Sequence, residues 1–170
     1  MRRWLLIAGV MLLGGCGWQL QGARHIDAAL LPVYLDLQDD HSMFAQALQQ
    51  QFRLSGMPVV TDATLAHSTL VVTTDDSGHH VVSVSALNEP QQYEVYYTVS
   101  YRLIQHRGEQ ADTLLSVQAM TLTNTMSYDK TVALAKQREE SVLVRQLAEE
   151  QALQLLRRLQ VVKSAMRGAP

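Results

Sequence analysis

Two different spacings of hydrophobic residues divide the first part of the chain into a strand and a helix. Residues 33–37 alternate between apolar and polar positions, which predicts a short strand with one apolar face. Phe44, Leu48 and Phe52 then recur four residues apart, as on one stripe of a helix of about thirteen residues. Glycine and proline within residues 56–58 end this helix, because glycine favours the C-terminal cap and proline cannot continue a helix.

The middle of the chain has the pattern of four strands. Residues 69–74 and 81–87 form two of them, separated by a turn signal of two aspartates, a serine and a glycine at residues 75–78. Residues 93–104 are the clearest strand, and residues 114–123 return beside it. Because short turns join these strands, we expect antiparallel neighbours.

The two faces of the long strand at residues 93–104 differ in character. Tyr93, Tyr97 and Tyr101 share one face, which we expect to pack beneath the helices; the alternative is a contact surface, for which tyrosine is favoured. The other face carries Tyr96 and Thr98 and mixes polar with apolar side chains. Such a face suits a wet, partly polar partner surface.

The end of the chain is predicted to be one long amphipathic helix, over about residues 129–162, followed by a frayed tail at residues 163–170. The helix must bury its apolar stripe, most simply against the sheet. The stripe consists of Val144, Ala148, Ala152, Leu155, Leu159 and Val162.

These elements predict an α+β fold in one domain over residues 32–162. Its parts are a four-stranded, largely antiparallel sheet, two helices packed on one face of that sheet, and the short N-terminal strand at residues 33–37.

The N-terminus has the features of a secretory signal. Arg2 and Arg3 precede an apolar run over residues 4–13, which at about 1.5 Å per residue is too short to cross a bilayer. The run ends in Leu-Gly-Gly-Cys, which resembles the bacterial lipobox, and Cys16 is the only cysteine in the chain. We therefore expect a signal peptide at residues 1–15 and a tether at residues 16–31 that carries lipid on Cys16. The alternative is an ordinary secretory signal with an incidental cysteine.

The charge of the chain argues against a nucleic-acid partner. The formal net charge is −2, and loss of the two signal-peptide arginines makes it −4. Nucleic-acid-binding proteins instead carry a basic patch. No second apolar run approaches membrane length, so we expect the N-terminal lipid to be the membrane attachment.

The sequence offers little evidence for catalysis, and we expect neither an enzyme nor a metal or cofactor site. His79 and His80 are adjacent at a predicted hairpin end, and neighbouring strand residues point to opposite faces, so they do not form a chelate by themselves. Asp75 and Asp76 suit an ordinary turn better than a calcium loop, since the alternating oxygen ligands are missing. Residues 139–140, both glutamate, fit the wet face of the long helix.

Several segments of the chain resemble the LptE family of lipopolysaccharide-assembly lipoproteins. The Cys-Gly-Trp-Gln-Leu sequence at residues 16–20 resembles the family's start, and residues 51–56 resemble the end of its first helix. Tyr93 opens the long strand as in the family. The Ala-Leu-Ala-Lys sequence at residues 133–136 is followed by the family's pattern through the last helix. The resemblance covers nearly all of the predicted mature chain.

This resemblance implies a function. Members of the family partner the outer-membrane β-barrel LptD, plug it, aid its assembly and help insert lipopolysaccharide into the outer leaflet. Lys136 matches a family position that binds lipopolysaccharide, whereas residues 86–89 lack the family's other basic residue. Gly17 after the lipidated cysteine implies an outer-membrane location, facing the periplasm and the barrel lumen. Two alternatives stay open: an accessory or substrate-binding lipoprotein of a periplasm-spanning transporter, and a cell-wall hydrolase.

Overall fold

The computed structural model describes residues 26–108, 110–128, 131 and 133–167, apart from the side chains of residue 133 and residues 163–167. The predicted signal peptide, most of the predicted tether and the expected lipidation site Cys16 lie outside the described residues. The last residues of that tether belong to the folded body, because Ile26 and Leu30 are buried in the core. The predicted domain boundary at residue 32 is therefore several residues too late.

Five strands and two helices make up the described chain, with short 3₁₀ turns at Ala28–Leu30 and Ala63–Leu65. In chain order the elements are β1 (Val33–Asp36), α1 (Met43–Leu54), β2 (Val59–Val60), β3 (Ser68–Val84), β4 (Pro90–Arg107), β5 (Gln110–Ser127) and α2 (Ala133–Arg167). The strands form one sheet in the order β2-β1-β3-β4-β5.

The predicted α+β class is confirmed, and the strand count is corrected. Strands β3, β4 and β5 are antiparallel neighbours, whereas β1 runs parallel to both β2 and β3. The short N-terminal strand is thus an integral member of a five-stranded sheet. Helix α2 packs against α1, β4 and β5.

The turn predicted at residues 75–78 is wrong, because β3 continues through it. Asp75, Asp76 and Gly78 pair with Val99, Thr98 and Tyr96 of β4. Distant side chains stabilise the extended form: both Asp75 and Asp76 accept hydrogen bonds from tyrosines of β4. A Cβ at Gly78 would lie 2.8 Å from the Tyr96 Oη, so glycine serves here to let the ring pass rather than to turn the chain.

Helix α1 follows the sequence prediction closely. Ser42 caps its N-terminus by accepting a hydrogen bond from the Ala45 amide at 3.0 Å. Its predicted stripe of Phe44, Leu48 and Phe52 is fully buried. Gly56 has φ of 68° and follows the last turn, as a C-terminal capping glycine does.

Helix α2 is shifted toward the C-terminus relative to its prediction. It begins at Ala133 rather than near residue 129 and continues to Arg167, past the predicted end at residue 162. Residues 163–167, predicted as part of a frayed tail, are therefore helical. The predicted apolar stripe is buried at Ala148, Ala152, Leu155 and Leu159, with Val144 and Val162 packed beside it.

The helices cover the tyrosine face of β4, as predicted. Tyr97 and Tyr101 are 3% and 1% exposed, and Tyr93 lies partly buried at the edge of the core. Neither helix of the described chain covers the opposite face of the sheet, and the residues of that face on β4 and β5 are half-buried or exposed.

Candidate functional site

Lys136 lies in the first turns of α2, where the helix passes the end of β5. Its ammonium Nζ donates to Glu139 Oε2 at 2.8 Å and to Ser127 Oγ at 3.3 Å. The lysine side chain is 17% exposed, whereas the Glu139 side chain is 47% exposed. We call these three residues the Lys136 cluster. The cation is thus shielded but reachable, and its partners stand three residues away on the helix and at the end of the edge strand.

A row of rings adjoins this part of the sheet. The Tyr93 ring makes edge contacts with both Tyr128 and His79, each with ring centroids 5.0 Å apart. His79 Nδ1 lies 2.6 Å from Glu140 Oε1, so the row connects strands β3 and β4 to α2. Edge-to-face ring pairs of this kind contribute packing and directionality. The row fixes how α2 approaches the sheet beside Lys136.

His79 and His80 do not lie at a hairpin end as expected, because β3 carries both of them in its interior. They point to opposite faces: His79 meets Glu140 of α2, and His80 Nε2 lies 3.0 Å from Glu94 Oε1. They therefore form no chelating pair. Glu140 contacts a strand rather than only water, which corrects the expectation of a purely wet helix face.

Among the described residues, one group has three possible metal-ligating side chains close together: Asp39, Asp40 and His41. All three are exposed, and His41 Nδ1 already contacts Asp40 Oδ1 at 2.9 Å. The group is the polar segment before α1, where Asp39 accepts a hydrogen bond from the His41 amide. It has the contacts of a turn rather than of a metal site.

The open face of the sheet is polar and largely uncharged along β5. Thr98 Oγ1 and Thr121 Oγ1 are 3.0 Å apart across the strands, in a hydroxyl contact. Tyr96 donates to Asp76 Oδ2 at 3.3 Å, and the charge of Asp76 raises the pKa of that tyrosine. The face around Tyr96 and Thr98 is therefore polar and half-buried, and its role as a contact surface stays a prediction.

A second polar junction, invisible in the sequence, joins α1 to the sheet. Asp75 accepts from Tyr97 Oη at 2.7 Å and from the Ser42 hydroxyl at 2.5 Å. The Phe44 amide in turn donates to Tyr97 Oη at 3.2 Å. Burial raises the pKa of Tyr97, and the hydrogen bond to Asp75 adds to the effect. We call these four residues the α1 junction; no spacing rule links positions that are tens of residues apart.

An open groove of about 660 Å³ lies between α1 and the β1–β2 edge. Its charged lining residues are Asp36, Asp40 and Arg53. Arg53 belongs to the segment at residues 51–56 that resembles the end of the family's first helix. The groove has no paired acid and base or nucleophile of the kind that catalysis requires.

A family comparison covers most of this described body. The chain matches the LptE family, described as lipopolysaccharide-assembly, over residues 30–159. The chain belongs to the LptE family. The matched region contains all five strands and the part of α2 that packs on them, so the resemblance in sequence and the α+β fold agree.

Curated relatives of this LptE-family chain are similar over nearly its full length. It is 27% identical to the LPS-assembly lipoprotein LptE of Pectobacterium atrosepticum over 167 residues, which is 96% of this chain and 88% of that protein. It is also 27% identical to the LPS-assembly lipoprotein LptE of Yersinia enterocolitica, covering 95% of this chain and 76% of that protein.

Solved structures share the fold. The rare lipoprotein B of Shewanella oneidensis superposes with a TM-score of 0.67 at 20% identity, covering 79% of this chain and 98% of that one. A lipoprotein B of Nitrosomonas europaea superposes with a TM-score of 0.69 at 22% identity, covering 88% and 94%. At these identities the likeness concerns the fold.

Within the described residues, no helix combines the length and hydropathy of a membrane span. The roles expected for Cys16 and Lys136 stay predictions, because neither the fold nor the family match tests them.

Proposed function

We propose that this LptE-family chain is a non-enzymatic outer-membrane lipoprotein that plugs an LptD-like β-barrel. In this role it aids barrel assembly and the insertion of lipopolysaccharide into the outer leaflet. The observation that carries the proposal is the family match over residues 30–159, which spans the folded body rather than one motif. The relatives named as LPS-assembly lipoproteins align over more than nine tenths of the chain.

The surface of the body is compatible with a plug. A barrel lumen is polar and wet, so a plug needs a compact body with polar outer faces. The open sheet face provides one such surface through Tyr96, Thr98 and Thr121, which are half-buried or exposed. Lipid on Cys16 would hold the body in the plane of the membrane, where its partner meets it at high effective concentration.

Lys136 is the proposed contact for lipopolysaccharide. An ammonium binds a phosphate as a point charge, and this one is already held by Glu139 at 2.8 Å. A lipid phosphate would therefore compete with the Glu139 carboxylate rather than meet a free cation. The Ser127 hydroxyl accepts a hydrogen bond from the same ammonium at 3.3 Å.

Co-purification tests the plug proposal directly. The tagged full-length chain is expressed in its own host, and the outer membrane is solubilised in detergent before affinity purification. We expect a large β-barrel protein in stoichiometric amount, and loss of mature barrel from cells depleted of this chain. The Cys16→Ala variant should fail to reach the outer membrane and recover much less barrel.

Two results would contradict the proposal. One is purification of the lipoprotein without a barrel while the barrel matures normally in depleted cells. The other is recovery of transporter components that span the periplasm with no barrel among them, which would favour the accessory-lipoprotein alternative.

A further inference from the structure

The two edges of the sheet are built in opposite ways. On one side the sheet ends in β2, which is only two residues long, and β1, which is four. On the other it ends in β5, which is 18 residues long and pairs only with β4 within the described chain. Short edge strands limit pairing with other chains, whereas a long edge invites it.

The direction of the free backbone groups on β5 follows from one hydrogen bond and the register. The Tyr128 amide donates to the Gln91 carbonyl at 2.8 Å, and the register continues from this pair without a shift through residues 118–127. Opposite residues in an antiparallel ladder alternate between bonded and non-bonded pairs. Even-numbered residues of this stretch therefore bond to β4. The outward N–H and C=O groups belong to Ala119, Thr121, Thr123, Thr125 and Ser127.

This stretch lacks the usual protection of an edge. The register shifts in β5 lie before Gln118, in the part of the strand that pairs with Leu103 and Ile104. From residue 118 to residue 127 the pairing is regular, and the sequence contains neither a charged residue nor proline. Charges, prolines and bulges are the devices that keep exposed edges from pairing.

Helix α2 holds the inner side of the same stretch in place. Gln151 is fully buried, and its Nε2 donates to the Tyr97 and Met120 carbonyls at 2.5 and 3.2 Å. Those carbonyls belong to neighbouring strands, so the amide spans the β4–β5 seam from below. The outward edge is thus fixed in an extended form before any partner binds, which lowers the entropy cost of adding a strand.

We propose that the β5 edge at residues 118–127 receives an extended, uncharged segment of the barrel partner as an added strand. The inference rests on the proposed function, because that partner is itself made of strands and their connecting segments. Main-chain hydrogen bonds to the outward groups supply the affinity in this mode of recognition. The hydroxyl row of Thr121, Thr123 and Thr125 selects neutral neighbours, because it offers no charge to pair with.

Photo-crosslinking from the edge locates the occupant. A benzophenone amino acid replaces Thr123 in the tagged full-length chain, and a matched variant carries it at Val59, which is exposed on the opposite edge. We expect Thr123 to give one predominant cross-link, mapped by mass spectrometry to an uncharged stretch of the barrel, and Val59 to lack that product. A cross-link between two copies of this chain, or to lipid alone, would overturn the inference.

A backbone substitution tests the mechanism. Thr123→Pro removes one outward N–H without removing a bond to β4, whereas Thr123→Val keeps the N–H and removes only the hydroxyl. We expect the proline variant to recover about tenfold less barrel, a loss within reach of one or two hydrogen bonds. The valine variant should lose less barrel than the proline variant because it keeps the main-chain contact, and equal losses in the two variants would overturn the main-chain mechanism. Thermal unfolding of each purified variant shows whether the body is folded. If the proline variant is not folded, the cross-linking result alone decides the inference.

The outcomes separate the two proposals. Either of two results overturns the edge inference alone. One is normal barrel recovery by a folded Thr123→Pro variant. The other is the absence of a barrel cross-link from the variant with benzophenone at Thr123, while the unmodified chain still recovers the barrel. Absence of any barrel from the unmodified chain's purification overturns the proposed function as well.

Discussion

Each helix of this LptE-family protein begins at a polar junction with the sheet, and the two junctions differ in their burial and in the number of their contacts. At the α1 junction, the Asp75 carboxylate accepts from two hydroxyls, and one of these, on Tyr97, is buried with its ring. The Lys136 cluster has a single ion pair, and its Glu139 side chain is 47% exposed to solvent. The first junction is closed and multiply bonded, which favours stability. The second leaves a charge that an incoming anion can reach.

The largest expected effect on stability comes from breaking the α1 junction. Asp75→Ala removes the acceptor of both Ser42 and Tyr97, and hydrogen bonds to charged groups contribute about 1.5 to 3 kcal/mol each. Because Asp75 is half-buried, we expect the free energy of unfolding to fall by about 2 to 3 kcal/mol. Urea denaturation of the detergent-purified full chain, followed by circular dichroism, measures it. Glu139→Ala is the matched control and should change stability by less than about 0.5 kcal/mol.

Equal losses in the two variants would remove the distinction between the junctions. A small loss in Asp75→Ala would mean that water replaces the carboxylate at no cost.

The helix cap provides the next smaller effect. Ser42 both caps α1 through the Ala45 amide and donates to Asp75, so Ser42→Ala removes two contacts at once. Loss of an N-cap costs about 1 kcal/mol, and we expect a total decrease of about 1 to 2 kcal/mol in unfolding free energy. Ser42→Thr keeps the hydroxyl and should recover most of the stability in the same denaturation experiment. A variant series with no difference between alanine and threonine would contradict the role of the hydroxyl.

The sequence anticipates elements whose apolar spacing is local and misses features that depend on distant partners. Phe44, Leu48 and Phe52 predict α1 because a buried stripe at spacing four leaves few alternatives. Residues 75–78 have turn-forming side chains, yet they form strand because their hydrogen-bond partners lie on β4 and before α1. Strand alternation likewise predicts the antiparallel pairing of β4 with β5, but it predicts β3 only as two separate strands, and nothing local predicts the parallel pairing of β1.

The candidate site divides in the same way. The pairing of Lys136 with Glu139 is readable from their spacing of three on a helix. The contact with Ser127 is not, because it depends on where the chain turns between β5 and α2. The α1 junction has no local signal, since Asp75 sits in a segment that reads as a loop.

The α1 junction also predicts that the folded chain loses stability at alkaline pH. Burial raises the pKa of Tyr97 in the folded chain above the ordinary value of about 10. The unfolded chain therefore loses this proton first as pH rises. The contribution of Tyr97 is fully present below pH about 10 and declines above it, by up to about 1.4 kcal/mol per pH unit.

Denaturation of the unmodified chain between pH 8 and about 11.5 measures this decline against the reference tyrosine pKa. Tyr97→Phe should be less stable at neutral pH and should lose less further stability above pH about 10. Tyr96→Phe is the control, because Tyr96 lies on the open face and its contribution is screened by solvent. Parallel pH profiles for the unmodified chain and Tyr97→Phe would assign the alkaline transition to other groups.

The smallest expected effects come from the Lys136 cluster and concern lipopolysaccharide binding rather than stability. If the phosphate competes with Glu139 for the ammonium, Lys136→Gln should weaken lipopolysaccharide binding by the full-length protein, and Glu139→Gln should strengthen it. Each change should be about twofold to fivefold, because exposed charge pairs contribute up to about 1 kcal/mol. Binding of labelled lipopolysaccharide in detergent at several salt concentrations measures both, and the differences should shrink as salt rises.

Glu149→Gln, on the exposed side of the same helix, controls for the loss of one negative charge. The double variant is decisive: without the lysine, removal of the Glu139 charge should have no more effect than removal of the Glu149 charge. A gain that persists in the Lys136→Gln background would place the anion elsewhere on the surface.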